Sequence, residues 1–278
     1  MRLPCTSWLG RNGPALGTKA GAVAVGLAGW CCSASQAIAA LSPIKLQGEF
    51  WLAAGVVVDP SGFDHPIFTE SIRLIRAALA DAAASHRFAL ERFSPPEQEV
   101  LLRLIHSSGD LLLAPAVRFS PTACAVGLET LAGGAAILTD TAMAAAAVAP
   151  MARRTFGNAV HSVLDWAPAQ APVGGTRAAA GMERALEQYP GAVVLIGSAP
   201  TALELLLEQV ASGRSAAPAL VIGMPVGFVG VAESKCHLAE SALPQIRLEG
   251  SRGGAGLVGA AANALLRRAW LDQATLEP

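Results

Sequence analysis

The chain has little charge and few aromatic residues. Charged residues make up 15% and aromatic residues 5% of its 278 residues, with a single tyrosine and a net charge of -1. No basic stripe interleaved with aromatic residues is present. The composition therefore provides no global field that favours nucleic acid or an anionic membrane surface, and we predict neither as a partner.

Several common catalytic and metal-binding motifs are also missing. The sequence has no Gly-x-Ser-x-Gly, Walker A or His-Glu-x-x-His motif, and no Gly-x-Gly-x-x-Gly follows the first predicted strand. It has five cysteines, without CxxC or zinc-ligand spacing: Cys5, Cys31, Cys32, Cys124 and Cys236. This odd, scattered set is typical of reduced thiols, and predicts a cytoplasmic protein without a metal site.

The first sixty residues are treated separately, because three interpretations stay open. An apolar run from Ala20 to Cys32, followed by Ala37-Ile38-Ala39, fits a secretory signal peptide. The same segment also fits a real intracellular extension. Alternatively, it is a disordered tail or a mis-assigned start, since no methionine lies between Met1 and Met143. We place an N-terminal extension at residues 1–60 and an α/β domain at residues 61–278.

Apolar residues are abundant, at 53% of the chain. A fraction that high indicates a large core or a subunit interface that hides apolar surface. Short apolar runs alternate with helical patterns and predict a three-layer, doubly wound α/β fold with a mostly parallel sheet. The five predicted strands are Ala135–Thr139, His161–Trp166, Ala192–Ile196, Ala219–Ile222 and Gln245–Leu248.

One histidine lies at the end of a well-marked helix. Ser94-Pro95-Pro96-Glu97 is a helix start, and Gly109 is typical of a helix C-terminus. His106 falls in the last turn, where free carbonyl groups favour a cation and would suit a proton donor near neutral pH. The alternative is an ordinary histidine that caps the helix. A further helix is predicted from Pro66 to about Phe88.

Glycine-rich turns follow the later strands. The longest runs from Gly223 to Lys235, and shorter ones are Gly197-Ser198-Ala199-Pro200-Thr201 and Arg252-Gly253-Gly254-Ala255-Gly256. Thr176-Arg177 opens another helix after a Pro/Gly-rich loop. Such turns present N–H groups at the carboxyl edge of a sheet, where α/β proteins bind ligands.

Together with Arg103-Leu104-Ile105-His106-Ser107-Ser108-Gly109-Asp110, these segments resemble the precorrin-8X methylmutase family over about Asp64 to Arg268. The resemblance implies a flavodoxin-like fold, a homodimer, and an isomerase without a cofactor. The implied reaction moves a methyl group from C11 to C12 of a tetrapyrrole, precorrin-8X or its cobalt form, to give hydrogenobyrinate or cobyrinate. Two other functions stay open: a non-catalytic corrin carrier and a flavodoxin-like nucleotide-binding module.

The resemblance also implies the site residues, with His106 as the catalytic acid. From the residues alone, the alternative for Arg177 is an exposed first-turn arginine, and the alternative for Asp140 is a helix cap. Ser198 stands where the family has asparagine, so the role of that amide is open. The predicted substrate-binding residues are Ser71, Arg76, Asp140, Thr176, Arg177, Ser198, Thr201, Gly223, Gly227 and Lys235.

Overall fold

A six-stranded sheet forms the centre of the computed structural model of the protein, which describes residues 62–84 and 88–275. These residues all belong to one compact unit, Val58–Pro278. The strand order is β1-β6-β5-β4-β2-β3, with β1 antiparallel to β6 and all other pairs parallel. The strands are β1 Val117–Phe119, β2 Ile137–Thr139, β3 Val160–Ser162, β4 Val193–Ile196, β5 Leu220–Gly223 and β6 Gln245–Leu248.

Eight α-helices accompany the sheet within the described residues. They are α1 Pro66–Ala84, α2 Pro95–Ser108, α3 Ala123–Ala132, α4 Ala142–Arg154, α5 Arg177–Gln188, α6 Pro200–Ala211, α7 Val231–Glu240 and α8 Ala255–Ala274. None of the helices in this part of the chain is long and apolar enough to cross a bilayer.

Side chains of the central strands alternate between two apolar clusters, as the period of two in a strand requires. Val193 and Leu195 of β4 join the cluster that contains α2, α3, α4 and α8. Val194 and Ile196 join the cluster that contains α5, α6 and α7. The strands therefore read as continuous apolar runs, because both faces of the sheet are covered.

The predicted mixed α/β architecture is confirmed, but the strand count is not. The sheet has six strands, because Val117–Phe119 adds an antiparallel edge strand that the sequence pattern did not reveal. The predicted strand His161–Trp166 is also too long: the strand ends at Ser162, and Val163–Trp166 forms a 3-10 helix. Ser162 starts that turn by accepting a hydrogen bond from the Leu164 N–H.

The helix that carries His106 begins and ends where its sequence predicts. The Ser94 backbone N–H and hydroxyl donate to Glu97 Oε2 at 2.7 and 2.8 Å. At the other end, Gly109 adopts a left-handed conformation with φ of 68° and its N–H donates to Ile105 O. Only a residue without Cβ adopts this conformation readily, so Gly109 ends the helix directly after the His106 turn. The predicted extension at residues 1–60 lies outside the described residues.

Candidate functional site

His106 is held by a hydroxyl from the neighbouring helix. Its Nδ1 lies 2.8 Å from Ser71 Oγ, so α1 and α2 meet at this pair. When the imidazole is neutral, either the proton is on Nε2 and Ser71 donates to Nδ1, or the proton is on Nδ1 and Ser71 accepts it; when the imidazole is charged, both nitrogens carry a proton. In the first neutral form and in the charged form, His106 presents an N–H at Nε2. The two predicted residues His106 and Ser71 are therefore brought together in an arrangement that suits a proton donor.

Two cavities meet at His106. The first, which we call the His106 cavity, has a volume of about 440 Å³ and lies between α1, α2, α4 and α8. Its charged and titratable lining residues are Asp64, His65, Arg103, His106 and Arg154. The second has a volume of about 280 Å³ and is lined mainly by apolar residues of α1 and α2. A ligand that contacts His106 therefore has a polar, mostly cationic wall on one side and an apolar wall on the other.

Opposing influences act on the pKa of His106. Burial lowers the pKa of His106, and the nearby Arg103 guanidinium lowers it further. The free carbonyls at the end of α2 favour a cation, but desolvation and a neighbouring positive charge oppose it. The helix end therefore does not set the pKa of His106 by itself, and the role of His106 as the proton donor stays a prediction.

An aromatic ring joins His106 to Arg103, which the sequence analysis did not include among the site residues. The guanidinium carbon of Arg103 lies 4.3 Å from the centroid of the Phe68 ring. The same ring meets the His106 imidazole edge to face, with centroids 5.1 Å apart. The spacing of three residues between Arg103 and His106, one helical turn, was the signal available in the sequence.

Asp140 binds backbone rather than capping a helix. Its Oδ2 accepts hydrogen bonds from the N–H groups of Gly197, Ser198 and Ala199, at 3.0, 2.5 and 2.7 Å. Thr141 is the residue that caps α4, so the helix-cap alternative is wrong. Asp140 is fully buried, and this burial raises its pKa against the lowering effect of the three N–H groups. The carboxylate fixes the turn after β4 to the end of β2.

Two more predicted residues meet beside this turn. Thr176 Oγ1 and Thr201 Oγ1 are 2.7 Å apart, which joins the starts of α5 and α6. Thr176 also caps α5 by accepting from the Ala179 N–H. Arg177 is exposed and its Nε donates to Pro168 O. Ser198 contributes its backbone N–H to Asp140. Their contacts with substrate stay a prediction.

The glycine-rich turn after β5 packs against the turn after β6. The Gly227 N–H donates to Ser251 O at 3.1 Å, and the Gly254 N–H donates to Met224 O at 2.9 Å. At Gly223, a Cβ would lie 2.4 Å from Leu238 Cδ2, so the missing side chain lets α7 approach the sheet. These glycines shape the edge of the sheet through backbone packing.

Lys235 is buried beneath the same two turns. Its Nζ donates to Gly250 O at 2.8 Å and to Arg252 O at 2.7 Å, and only 3% of the residue is exposed. The Arg252 side chain reaches Asp110 at 3.1 Å, just beyond the end of α2. Lys235 therefore holds a turn that is itself tied to the helix of His106. Its contact with substrate stays a prediction.

The burial of Lys235 makes stability depend on pH. Desolvation lowers its pKa from 10.5 to about 8, so between these values the unfolded chain binds more protons than the folded one. The stability of the folded state should then rise with pH in this window, by up to about 1.4 kcal/mol per pH unit. We expect Lys235→Met to remove that rise. Urea unfolding of both proteins, at pH values below, within and above this window, measures the free energy of unfolding. An equal dependence of this free energy on pH in the two proteins would contradict the prediction.

Arg76 is the predicted residue that stands apart. It is exposed on α1, and its Nη1 donates to Gln98 Oε1 at 3.1 Å. Within the part of the chain that the structure describes, no group of three or more His, Cys, Asp or Glu side chains is placed to hold a metal ion.

The same site residues lie within a stretch that matches a known family. The family model described as precorrin-8X methylmutase matches residues 66–268. The chain belongs to the precorrin-8X methylmutase family. The members of this family are isomerases that move a methyl group in corrin biosynthesis.

Individual methylmutases are similar to this chain over most of their own length. A cobalt-precorrin-8 methylmutase of Synechocystis is 37% identical over 223 residues, which cover 75% of this chain and 98% of the relative. A precorrin-8X methylmutase of Pseudomonas aeruginosa is 44% identical over 173 residues, 60% of this chain and 82% of the relative. The crystal structure of a precorrin-8X methylmutase from Thermus thermophilus superposes with a TM-score of 0.64 at 38% identity, covering 75% of this chain and 97% of that one.

Proposed function

We propose that the protein isomerises precorrin-8X, or its cobalt form, by moving a methyl group from C11 to C12 of the macrocycle. The observation that carries the proposal is the Ser71–His106 pair at the junction of two cavities, inside the stretch that matches the methylmutase family. The reaction is intramolecular: the bond from the methyl carbon to C11 breaks and a bond to C12 forms. The protein has to hold the ring and adjust its protonation.

His106 is the proposed acid, acting through Nε2. Ser71 pairs with Nδ1, which leaves Nε2 as the nitrogen that can donate to a nitrogen or carbon of the ring. Donation of this proton, or of a hydrogen bond, draws electron density from the ring while the methyl group moves, and the proton returns to His106 afterwards. The two unlike walls at His106 suit a corrin, because its ring is largely apolar and its rim carries carboxylates.

The remaining predicted contacts form a second part of the proposed site. Thr176, Arg177 and Thr201 offer hydroxyl and guanidinium groups beside the turn that Asp140 holds. Gly227 and Lys235 build the adjoining turns. We include Arg76 as a contact for the rim of the ring. Asp140, Ser198 and Gly223 act through the backbone that they position.

The proposal extends to a three-layer, flavodoxin-like arrangement. The five parallel strands have the order β3-β2-β4-β5-β6, and the helices α4 and α6 that follow β2 and β4 join opposite clusters. In doubly wound sheets, ligands bind outside the carboxyl ends of such neighbouring strands. Asp140 lies at this point, and its carboxylate already occupies three N–H groups that a phosphate would need. This arrangement argues against the nucleotide-binding alternative.

Turnover of the two possible substrates tests the proposed function directly. The purified protein is incubated with metal-free precorrin-8X and, separately, with the cobalt form, and the visible spectrum is followed. Formation of the isomerised corrin supports the proposal and shows which form is used. Tight binding of hydrogenobyrinate or cobyrinate without any turnover would instead favour the carrier.

We expect the protein to be a homodimer with two equivalent sites. The turn after β5 presents Phe228 and Val229 to solvent, 95% and 88% exposed. A patch of large apolar side chains beside a binding edge is typical of a subunit interface. Sedimentation at micromolar concentration should give twice the chain mass of 28.3 kDa. A single species at the mass of one chain would contradict the dimer, and one corrin per dimer would contradict the two sites.

The proposed location and domain boundaries follow from the same function. Residues 61–278 are proposed as the methylmutase domain, since the family match spans residues 66–268. The cytoplasm is the proposed compartment, because the precursors of the corrin ring are made there. Export is the interpretation of residues 1–60 that this location disfavours.

A further inference from the structure

Arg103 has no hydrogen-bond acceptor among the described residues, although it lies in the wall of the His106 cavity. Its guanidinium is partly buried against the face of Phe68, and burial lowers its pKa. An arginine carries five N–H donors, and leaving them without partners in a partly desolvated place is costly. The N–H groups of Arg103 are held at the wall of a cavity and have no protein acceptor there, which points to a ligand as their acceptor.

The neighbouring arginines differ from Arg103 in this respect. Arg267 pairs with Asp64 through Nε at 2.8 Å and with Glu99 through Nη1 at 3.1 Å. Arg154 donates to Phe63 O at 2.5 Å and stacks on the Phe63 ring. The two nearby carboxylates are therefore engaged by Arg267, and Arg103 is left with its ring contact.

We propose that Arg103 binds a carboxylate of the substrate and thereby places the macrocycle against His106. This step rests on the proposed function, because it takes the rim carboxylates of a corrin as the ligand. A planar guanidinium matches a carboxylate with two parallel hydrogen bonds. Phe68 fixes the orientation of Arg103 and packs edge to face with His106, so an anchored carboxylate lies close to the imidazole.

The anchor has a second consequence for His106. The charged and titratable groups around the cavity are Asp64, His65, Arg103, Arg154 and, from α8, Arg267, with Glu99 beyond it. Arg103 is the neighbour whose charge lowers the pKa of His106. A carboxylate bound to Arg103 offsets this charge and favours the imidazolium. Binding of the acidic substrate should therefore favour protonation of His106, which then supplies the proton for the reaction.

Binding of hydrogenobyrinate to wild-type protein, Arg103→Met and Arg103→Lys tests the anchor. Because a hydrogen bond between charged groups is among the strong ones, we expect Arg103→Met to weaken binding about 10- to 100-fold and Arg103→Lys to restore part of the loss. The matched control is Arg73→Met, an exposed arginine on α1 paired with Glu70. Its affinity should stay within about twofold of wild type, and thermal unfolding shows whether each variant is folded.

Proton uptake on binding gives a readout that a merely structural role would not change. Calorimetry in two buffers with different ionisation enthalpies counts the protons taken up near pH 7. Wild type should take up a proton, and Arg103→Met markedly less. Unchanged affinity of Arg103→Met, or a loss that Arg103→Lys does not reduce, would overturn the inference while leaving the function intact. Failure of wild type to turn over precorrin-8X in either form would instead overturn the proposed function.

Discussion

Replacing His106 with asparagine should reduce turnover about 10²- to 10⁴-fold, the range expected for loss of a general acid. Asparagine keeps a polar group near Ser71, which binds His106 Nδ1 at 2.8 Å, but has no proton to donate at the position of Nε2. Binding of the corrin product should change little. Single-turnover kinetics with precorrin-8X separates the two effects, because binding and chemistry are observed as different phases.

The matched control for this variant is His237→Asn. His237 is an exposed histidine that pairs with Glu204 at 2.8 Å on another part of the surface. This variant should retain wild-type turnover. If His106→Asn kept more than about half of the wild-type rate, the role of His106 as the acid would be wrong.

Gly253→Ala should have the largest effect on the fold of the site. A Cβ at this position would lie 1.9 Å from Met224 O and 2.8 Å from Pro225 C, both backbone atoms. The turns after β5 and β6 would have to separate, and the bond from the Gly254 N–H to Met224 O would break. Overpacking of this kind costs about 1–3 kcal/mol or more. Scanning calorimetry should show a midpoint lowered by about 2–4 °C for each kcal/mol.

Turnover of Gly253→Ala should fall as well, because the separated turn includes Arg252 O, one of the two acceptors of Lys235. Gly133→Ala is the control. Its φ is -73° and the nearest atom to a new Cβ lies at 3.4 Å, so alanine is tolerated there. A Gly253→Ala protein with the wild-type midpoint and rate would show that these two turns do not need their close approach.

Local signals explain why much of the fold follows from the sequence. The capping box at Ser94, the left-handed Gly109 and the cap at Thr176 each depend on a few adjacent residues. The strand β1 lacks such a signal. The strand is only three residues long and lies between two prolines, Pro115 and Pro121. Its partner β6 lies far away in the chain. Its pairing is a long-range contact that no local pattern encodes.

The residues of the candidate site also fall into two groups: those that a local motif predicts, and those whose role depends on contacts between distant parts of the chain. The motif predicts His106, but its bond to Ser71 requires two helices to meet. The sequence does not mark Arg103 as a site residue, because its importance depends on which partners the neighbouring charges take. Arg267, on the last helix, engages both Asp64 and Glu99 and so deprives Arg103 of an acceptor. Propensity and spacing do not report which of several charges is left without a partner.

The position of Ser71 on α1 links the chemistry to local opening of the structure. Helix α1 packs mainly on α2, and two of its large apolar residues, Ile67 and Leu74, are 73% and 54% exposed. Segments with few buried apolar contacts open at a lower free energy than the global unfolding of the domain. Each opening of α1 releases His106 from Ser71 and removes Phe68 from Arg103. A second subunit that covered the exposed side of α1 would suppress these openings, so the fraction of competent enzyme would depend on protein concentration.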